Sequence, residues 1–348
     1  MAQKLVFSDS LPSTSGPRAA FDPRTSLVIY DKILLKLSKP FGLWVKKFPF
    51  AYAVESGEGL KSLDDFPKHV NALAKVARPL SPRTMTVVAV GGGSVGDFAG
   101  FFASIYKRGV RIEQVPSTWL AAIDSAHGGK TALNCSGAKN VVGTFHPASR
   151  VHLVRELLEL QPPSRAEEGM GELAKIALID GGTWVKQLEK AKGDHAEILW
   201  KFLKPAIESK LRVVEKDPTE TKGLRQVLNL GHTVGHVLEA VHGLAHGKAV
   251  TQGLFFSLAF SEHKGYLDPA TAARAGKLLT ETLGLHPEVP RKGIPAGKFT
   301  ELLLQDKKRD KAGQVTFVFL SKFGKPVRAN VPVSEVVAEA KRMGWAAR

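Results

Sequence analysis

The sequence predicts an α/β protein in two parts: an N-terminal Rossmann-like parallel-sheet domain followed by a mainly α-helical C-terminal domain. Three observations carry this prediction. The first half alternates short β-branched runs with helix-like stretches. The run TMTVVAVGGG, residues 84–93, ends in glycines, as a nucleotide-binding strand–turn–helix does. After about residue 155 the apolar residues recur with the helical period. A chain of 348 residues also exceeds one ordinary core, so two domains are expected.

In chain order, residues 1–20 are rich in Ser and Pro, lack the apolar stretch of a secretory signal, and read as a mobile lead-in. The α/β domain spans 21–160, with strands expected over 25–31, 49–54 and 84–93. The stretch 114–140 is rich in glycine and other small residues and suits cradling phosphate, or else is a glycine-rich surface loop. It concentrates Ser117, Thr118, Asp124, Lys130, Lys139 and Asn140, which either cradle phosphate or stand solvated on the surface. Pro162 and Pro163 cannot continue a helix and set the boundary, so the second domain spans 161–348. Helices are expected there over 166–179, 195–216 and 231–243.

Composition narrows the function. Hydrophobic residues at 43% and charged residues at 24% exclude disorder and fibrous repeats. The net charge of +16 predicts attraction to anions without choosing among nucleic acid, membrane and phosphorylated metabolite. The single cysteine, Cys135, forbids an intrachain disulfide and a cysteine-built zinc site, and suits a reducing cytoplasm. The apolar stretch 87–106 carries five glycines and Asp97, which makes it a poor membrane span.

Two clusters invite chemistry. Glycines at 91–93 directly after a strand let backbone amides approach a pyrophosphate, or form a plain tight turn; Asp31, at another strand end, could bind a ribose hydroxyl or close a turn. His232, His236, His242 and His246 fall within 15 residues, and the first two share a helix face. They read as a zinc chelate or as helix-packing residues. Thr233 after His232 breaks the HExxH peptidase signature, and Glu172 is a candidate carboxylate ligand that would leave zinc an open position.

The chain resembles the 3-dehydroquinate synthase family of sugar phosphate cyclases, from about Leu27 to the C-terminal region. The motifs are SGEGLK (56–61), GGGSVGD (91–97), YKRG (106–109), QVPST followed by DSAHGGKT (114–131), GAKN (137–140), GELAK (171–175), LRQVLNLGHTVGH (224–236), HG (246–247) and DKK (306–308). The resemblance implies a divalent metal, zinc with cobalt as second choice, on Glu172, His232 and His246. It implies NAD on Asp31, Glu58, Lys61, Gly93, Ser94, Val95, Gly96, Asp97, Ser117, Thr118, Lys130 and Lys139. Substrate and nicotinamide fall to Asp124, Lys130, Lys139, Asn140, Lys175, Lys210, Arg225, Asn229 and His236, with Lys307 or Lys308 closing over an anionic group. The implied reaction converts 3-deoxy-arabino-heptulosonate 7-phosphate into 3-dehydroquinate and phosphate. It runs by transient oxidation at C5, phosphate elimination, reduction, ring opening and aldol closure. A cytoplasmic homodimer is implied, with no nucleic acid or membrane partner.

Departures from the family pattern are local. Lys248 stands where Glu is usual and puts a positive charge beside His246; Ser117 and Leu160 replace Thr, and the histidine loop is about two residues short. Two other enzyme readings compete. A related cyclase would take sedoheptulose 7-phosphate or glucose 6-phosphate, and a metal-dependent alcohol dehydrogenase would release NADH. A basic nucleic-acid-binding protein is the reading outside enzymes, but its lysines and arginines are dispersed without a binding motif.

Overall fold

The computed structural model describes residues 3–17, 19–288, 293–305 and 313–347. The chain divides into two compact units, residues 1–165 and 166–348.

The first unit holds strands β1 (Lys4–Ser8), β2 (Ser26–Asp31), β3 (Ala51–Val54), β4 (Thr86–Gly91), β5 (Arg111–Pro116), β6 (Lys130–Cys135), β7 (Ala138–Phe145) and β8 (Arg150–Val154). Its helices are α1 (Leu34–Leu37), α2 (Lys39–Val45), α3 (Phe66–Val76), α4 (Gly93–Ile105) and α5 (Arg155–Leu158). Six strands form one sheet in the order β1-β8-β5-β4-β2-β3, and every pair in it is parallel. Every residue of β4 is buried, as expected of a strand covered on both faces. On one face Val88, Val90 and Val115 pack with Phe41, Trp44 and Phe48 of the α2 region. Elsewhere in the unit, the Phe66 ring of α3 meets Phe98 and Phe101 of α4 edge-on, at centroid distances of 5.6 and 5.2 Å.

The strand order places β3 on one side of β2 and β4 on the other, so the chain reverses direction across the sheet between β2 and β4. Ligands of such sheets bind outside the carboxyl ends of the strands at that switch point. Asp31 ends β2 and Gly91 ends β4 at the same level, since Tyr30 pairs with Val90.

Two expectations for this unit are corrected. Residues 4–8 are an edge strand and not a mobile lead-in. KLVFS pairs with β8 from Lys4–Arg150 to Ser8–Val154, and the Trp44 indole N–H donates to the Pro12 carbonyl at 2.8 Å. The stretch 114–140 is not a loop throughout. It contains the end of β5, a single π-type turn over Ala121–Ser125, and the antiparallel hairpin β6–β7. Ser136 and Gly137 both have positive φ, 51° and 75°, which is the turn a two-residue hairpin requires.

The second unit contains α6 (Pro163–Asp180), α7 (Thr183–Leu188), α8 (His195–Lys216), α9 (His232–His242), α10 (His246–His263), α11 (Pro269–Lys277), α12 (Ala296–Gln305) and α13 (Val333–Arg342). Pro162 lies between α5 and α6 and Pro163 opens α6, where a first-turn residue has no intrahelical acceptor for its N–H. All residues from Glu168 to Ile179 are buried, so α6 is a central helix. An antiparallel pair, β9 (Gln314–Lys322) and β10 (Lys325–Pro332), lies outside the helical expectation. Phe317 and Phe319 of β9 join Phe256, Phe260 and Trp345 in one core. Among the described residues, no helix is long and apolar enough to cross a membrane.

Candidate functional site

In the first unit the glycine turn after β4 leads straight into the 13-residue helix α4, whose first-turn amides are free of intrahelical acceptors. A Cβ on Gly93 would sit 3.1 Å from the Ser125 hydroxyl, and one on Gly96 would sit 3.0 Å from the Gln114 side-chain oxygen. Side chains therefore have little room here. The Ser117 N–H donates to the Gly91 carbonyl at 2.9 Å, which brings Ser117 and Thr118 beside the turn. The Ser94 hydroxyl accepts from the Gly57 N–H at 3.0 Å, joining the 56–61 motif to α4; Val95 is buried under Gly91. One Asp31 oxygen accepts from the Ile33 N–H at 3.1 Å.

A polar network runs through the same region. The buried Lys61 ammonium bonds Asp97 at 2.7 Å and also contacts the Asn140 amide oxygen. Burial pushes the Asp97 carboxyl above its ordinary range; Lys61 opposes this by charge and hydrogen bond, while Glu58 and Asp124 add to the rise. Asn134, which sequence reading passed over, donates to Glu58 at 2.8 Å and accepts from the Asn140 N–H at 2.9 Å. It positions both predicted residues, and Asn140 adopts a positive φ of 56°. Lys130 opens β6, and Lys139 lies exposed on β7.

In the second unit three helices bring a carboxylate and two imidazoles together. Each ligand-type residue neighbours a glycine at a helix crossing: Gly171 before Glu172, Gly231 before His232, Gly247 after His246. A Cβ on Gly247 would lie 2.3 Å from the Glu168 carbonyl, and one on Gly171 would lie 2.7 Å from the Gly247 carbonyl. Only glycine lets α6 and α10 approach this closely. One ligand atom each from Glu172, His232 and His246 lies within 4.8 Å of the others.

The hydrogen bonds fit a metal. Glu172 is buried and its Oε1 has no hydrogen-bond partner, a costly state for a carboxylate oxygen unless a cation satisfies it. The His232 Nδ1–H donates to the Leu230 carbonyl at 3.2 Å, which turns the Nε2 lone pair toward Glu172, 3.7 Å away. His246 Nδ1 bonds the Glu239 carboxylate at 3.1 Å. The His236 ring is exposed, 5.5 Å from His232 and 6.2 Å from His246, outside the ligand set. Lys248 extends to Glu167 at 3.7 Å. The Lys175 ammonium pairs with the other oxygen of Glu172.

Lys210 is buried on α8, which packs on the short 3-10 helix Leu224–Asn229 carrying Arg225 and Asn229. Asp217 organises that segment. Burial alone would raise its carboxyl, but N–H groups from Lys222, Arg225, Leu224 and Thr221 outweigh it and hold the group below the usual range. The Arg225 guanidinium donates to the Pro218 carbonyl at 3.1 Å and lies 3.5 Å from Glu220. Lys307 and Lys308 lie outside the described residues.

A parallel nucleotide-type sheet with its glycine turn at the switch point, together with a helical unit carrying a Glu–His–His set, defines the class: a protein with the sugar phosphate cyclase fold. A solved 2-deoxy-scyllo-inosose synthase, complexed with carbaglucose-6-phosphate, NAD+ and Co2+, shares that fold at a TM-score of 0.81 and 24% identity, covering 98% of this chain and 96% of its own. So does the 2-epi-5-epi-valiolone synthase of Streptomyces hygroscopicus subsp. jinggangensis with NAD+ and Zn2+ bound, at a TM-score of 0.79, 22% identity and coverage of 99% and 97%. The chain belongs to the 3-dehydroquinate synthase family: residues 51–168 match the family's N-terminal model and 169–309 its C-terminal model. It is 36% identical over 282 residues to the 3-dehydroquinate synthase of Methylacidiphilum infernorum, covering 80% of this chain and 76% of that one.

Proposed function

We propose that this chain is a 3-dehydroquinate synthase that converts 3-deoxy-arabino-heptulosonate 7-phosphate to 3-dehydroquinate and phosphate, using NAD and a divalent metal, zinc first. The orphaned, buried Oε1 of Glu172 facing two correctly tautomerised histidines is the observation that carries the reading. Glu172, His232 and His246 would hold the metal, which supplies Lewis acidity to a substrate alcohol when bound. NAD supplies a reversible hydride acceptor when bound, held by the glycine turn, Ser94 to Asp97, Ser117, Thr118 and Asp31, with Glu58, Lys61, Lys130 and Lys139 around it.

The remaining residues serve the substrate. Arg225, kept in place by Asp217, offers a planar fork for a carboxylate or phosphate. Lys210 and Lys175 add buried positive charge in the same unit, and Asn229 and Asn140 add amide groups. Exposed His236 beside His232 can hold or move a hydroxyl proton. Asp124 sits in the π-type turn, one residue before Ser125, and can accept from a bound hydroxyl. The resemblance also implies a homodimer, which sedimentation velocity tests.

Carboxylate-matching charge favours the heptulosonate over neutral-headed sugar phosphates. The test offers heptulosonate 7-phosphate, sedoheptulose 7-phosphate and glucose 6-phosphate in turn. Phosphate release confined to the first, with no net rise at the NADH absorption band, supports the reading. Turnover confined to either other sugar would reassign the substrate, and stoichiometric NADH accumulation would make the enzyme a dehydrogenase.

A further inference from the structure

We infer that Glu239 is a positioning residue for the metal centre, fixing the tautomer of His246 and placing a second carboxylate beside the ligand set. The inference rests on the ligand reading above and deepens it. A carboxylate oxygen can only accept, so the 3.1 Å contact from Glu239 Oε2 to His246 Nδ1 puts the ring proton on Nδ1 and leaves Nε2 as the donor to a cation. His232 is oriented differently, by the neutral Leu230 carbonyl at 3.2 Å. A carboxylate partner raises imidazole basicity more than a carbonyl does.

Charge makes the contact more consequential. The one carboxylate among the three ligands, Glu172, is already paired with the Lys175 ammonium. Two neutral histidines and a neutralised carboxylate offset little of a divalent charge. Lys248, two residues after His246, adds a further positive charge, which Glu167 draws aside at 3.7 Å. Glu239 puts a second carboxylate in hydrogen-bond contact with the ligand set. It is placed by sequence, since it falls seven residues after His232 in the same helix α9 while His246 opens α10.

The test measures zinc affinity of the full-length chain after metal removal, by competition with a chromophoric chelator, for wild type, Glu239→Ala and Glu239→Gln. Circular dichroism confirms the fold of each. Wild type should bind one zinc per chain. Glu239→Ala should bind it about 10- to 100-fold more weakly, the range seen when an outer-sphere partner of a metal-bound histidine is removed. Glu239→Gln keeps an acceptor oxygen but no charge, so it should fall between the two. The hydrogen-bonded Nδ1–H signal of His246 in 15N-histidine spectra should persist in Glu239→Gln and vanish in Glu239→Ala. Wild-type affinity in both variants, with stoichiometric binding in the wild type, overturns the role of Glu239 and leaves the ligand reading standing. No zinc binding by the wild type overturns both. If Glu239→Ala fails to fold, wild-type affinity in Glu239→Gln would overturn the claim that charge matters, and weakened affinity would support it.

Discussion

Arg225 shows how a single side chain is specified by its neighbours. Its guanidinium spans Pro218 and Glu220, while its own N–H, 3.4 Å from Asp217, helps to close the turn. Arg225→Lys keeps the charge but cannot span the same partners or present a fork. We expect substrate KM to rise about tenfold, the equivalent of one charge-assisted hydrogen bond, with NAD affinity measured by fluorescence titration unchanged; equal losses would make Arg225 structural. Asp217 gives a pH signature. Its folded-state pKa is depressed, so its contribution to stability is present above the unfolded value, about 3.9, and is lost as pH falls through the folded value. The stability gap between wild type and Asp217→Asn, read from urea midpoints, should be constant near neutrality and close on acidification. A gap that widened toward acid would contradict this. Residues whose chemistry is their own were legible in sequence: Glu172 and the four clustered histidines stand out by type, while the choice of His246 over His236 came only with the family resemblance. Asn134, Asp217 and Glu239 were not, because each acts through another residue and has no motif of its own. The HxxxxxxE spacing on α9 was the one available signal for Glu239.

Among elements, the close crossing of α6 and α10 is set by glycine. Gly247→Ala would drive a Cβ to 2.3 Å from the Glu168 backbone, where no side chain can swing away. Overpacking of this kind costs about 1–3 kcal/mol, and the shift should also spread the ligand atoms of Glu172 and His246. Thermal unfolding and zinc titration of Gly247→Ala should therefore worsen together; unchanged values in both would mean that the helices yield without consequence. The long helices were readable because their apolar residues keep a 3.6 period, and α8 falls where the sequence placed it, over 195–216. The hairpins were less so. β9 is buried along almost its whole length, which erases the two-residue alternation, and in β6–β7 the Ser136–Gly137 turn signal was submerged in a glycine-rich stretch. Strand β1 is five residues long, and its role depends on β8, almost 150 residues later, so local sequence could not reveal it.

At the scale of the whole molecule, 49 basic against 33 acidic residues give a chain that draws anions from a distance. Raising ionic strength should therefore lower kcat/KM for a doubly anionic substrate several-fold while leaving kcat nearly unchanged; equal effects on both would place the charge's role elsewhere. The overall division into a parallel-sheet unit and a helical unit follows from periodicity alone, whereas the chemistry depends on residues that the fold must gather. The central claim is that Glu172, His232 and His246 hold a metal on which turnover depends. The most direct measurement strips the protein of metal, verifies by circular dichroism that it stays folded, and follows phosphate release from 3-deoxy-arabino-heptulosonate 7-phosphate with NAD present, before and after one equivalent of zinc per chain. We predict release at background in the stripped protein and recovery on adding zinc, with no recovery in His246→Ala at the same zinc concentration. Full phosphate release by the folded, metal-free protein would contradict the account.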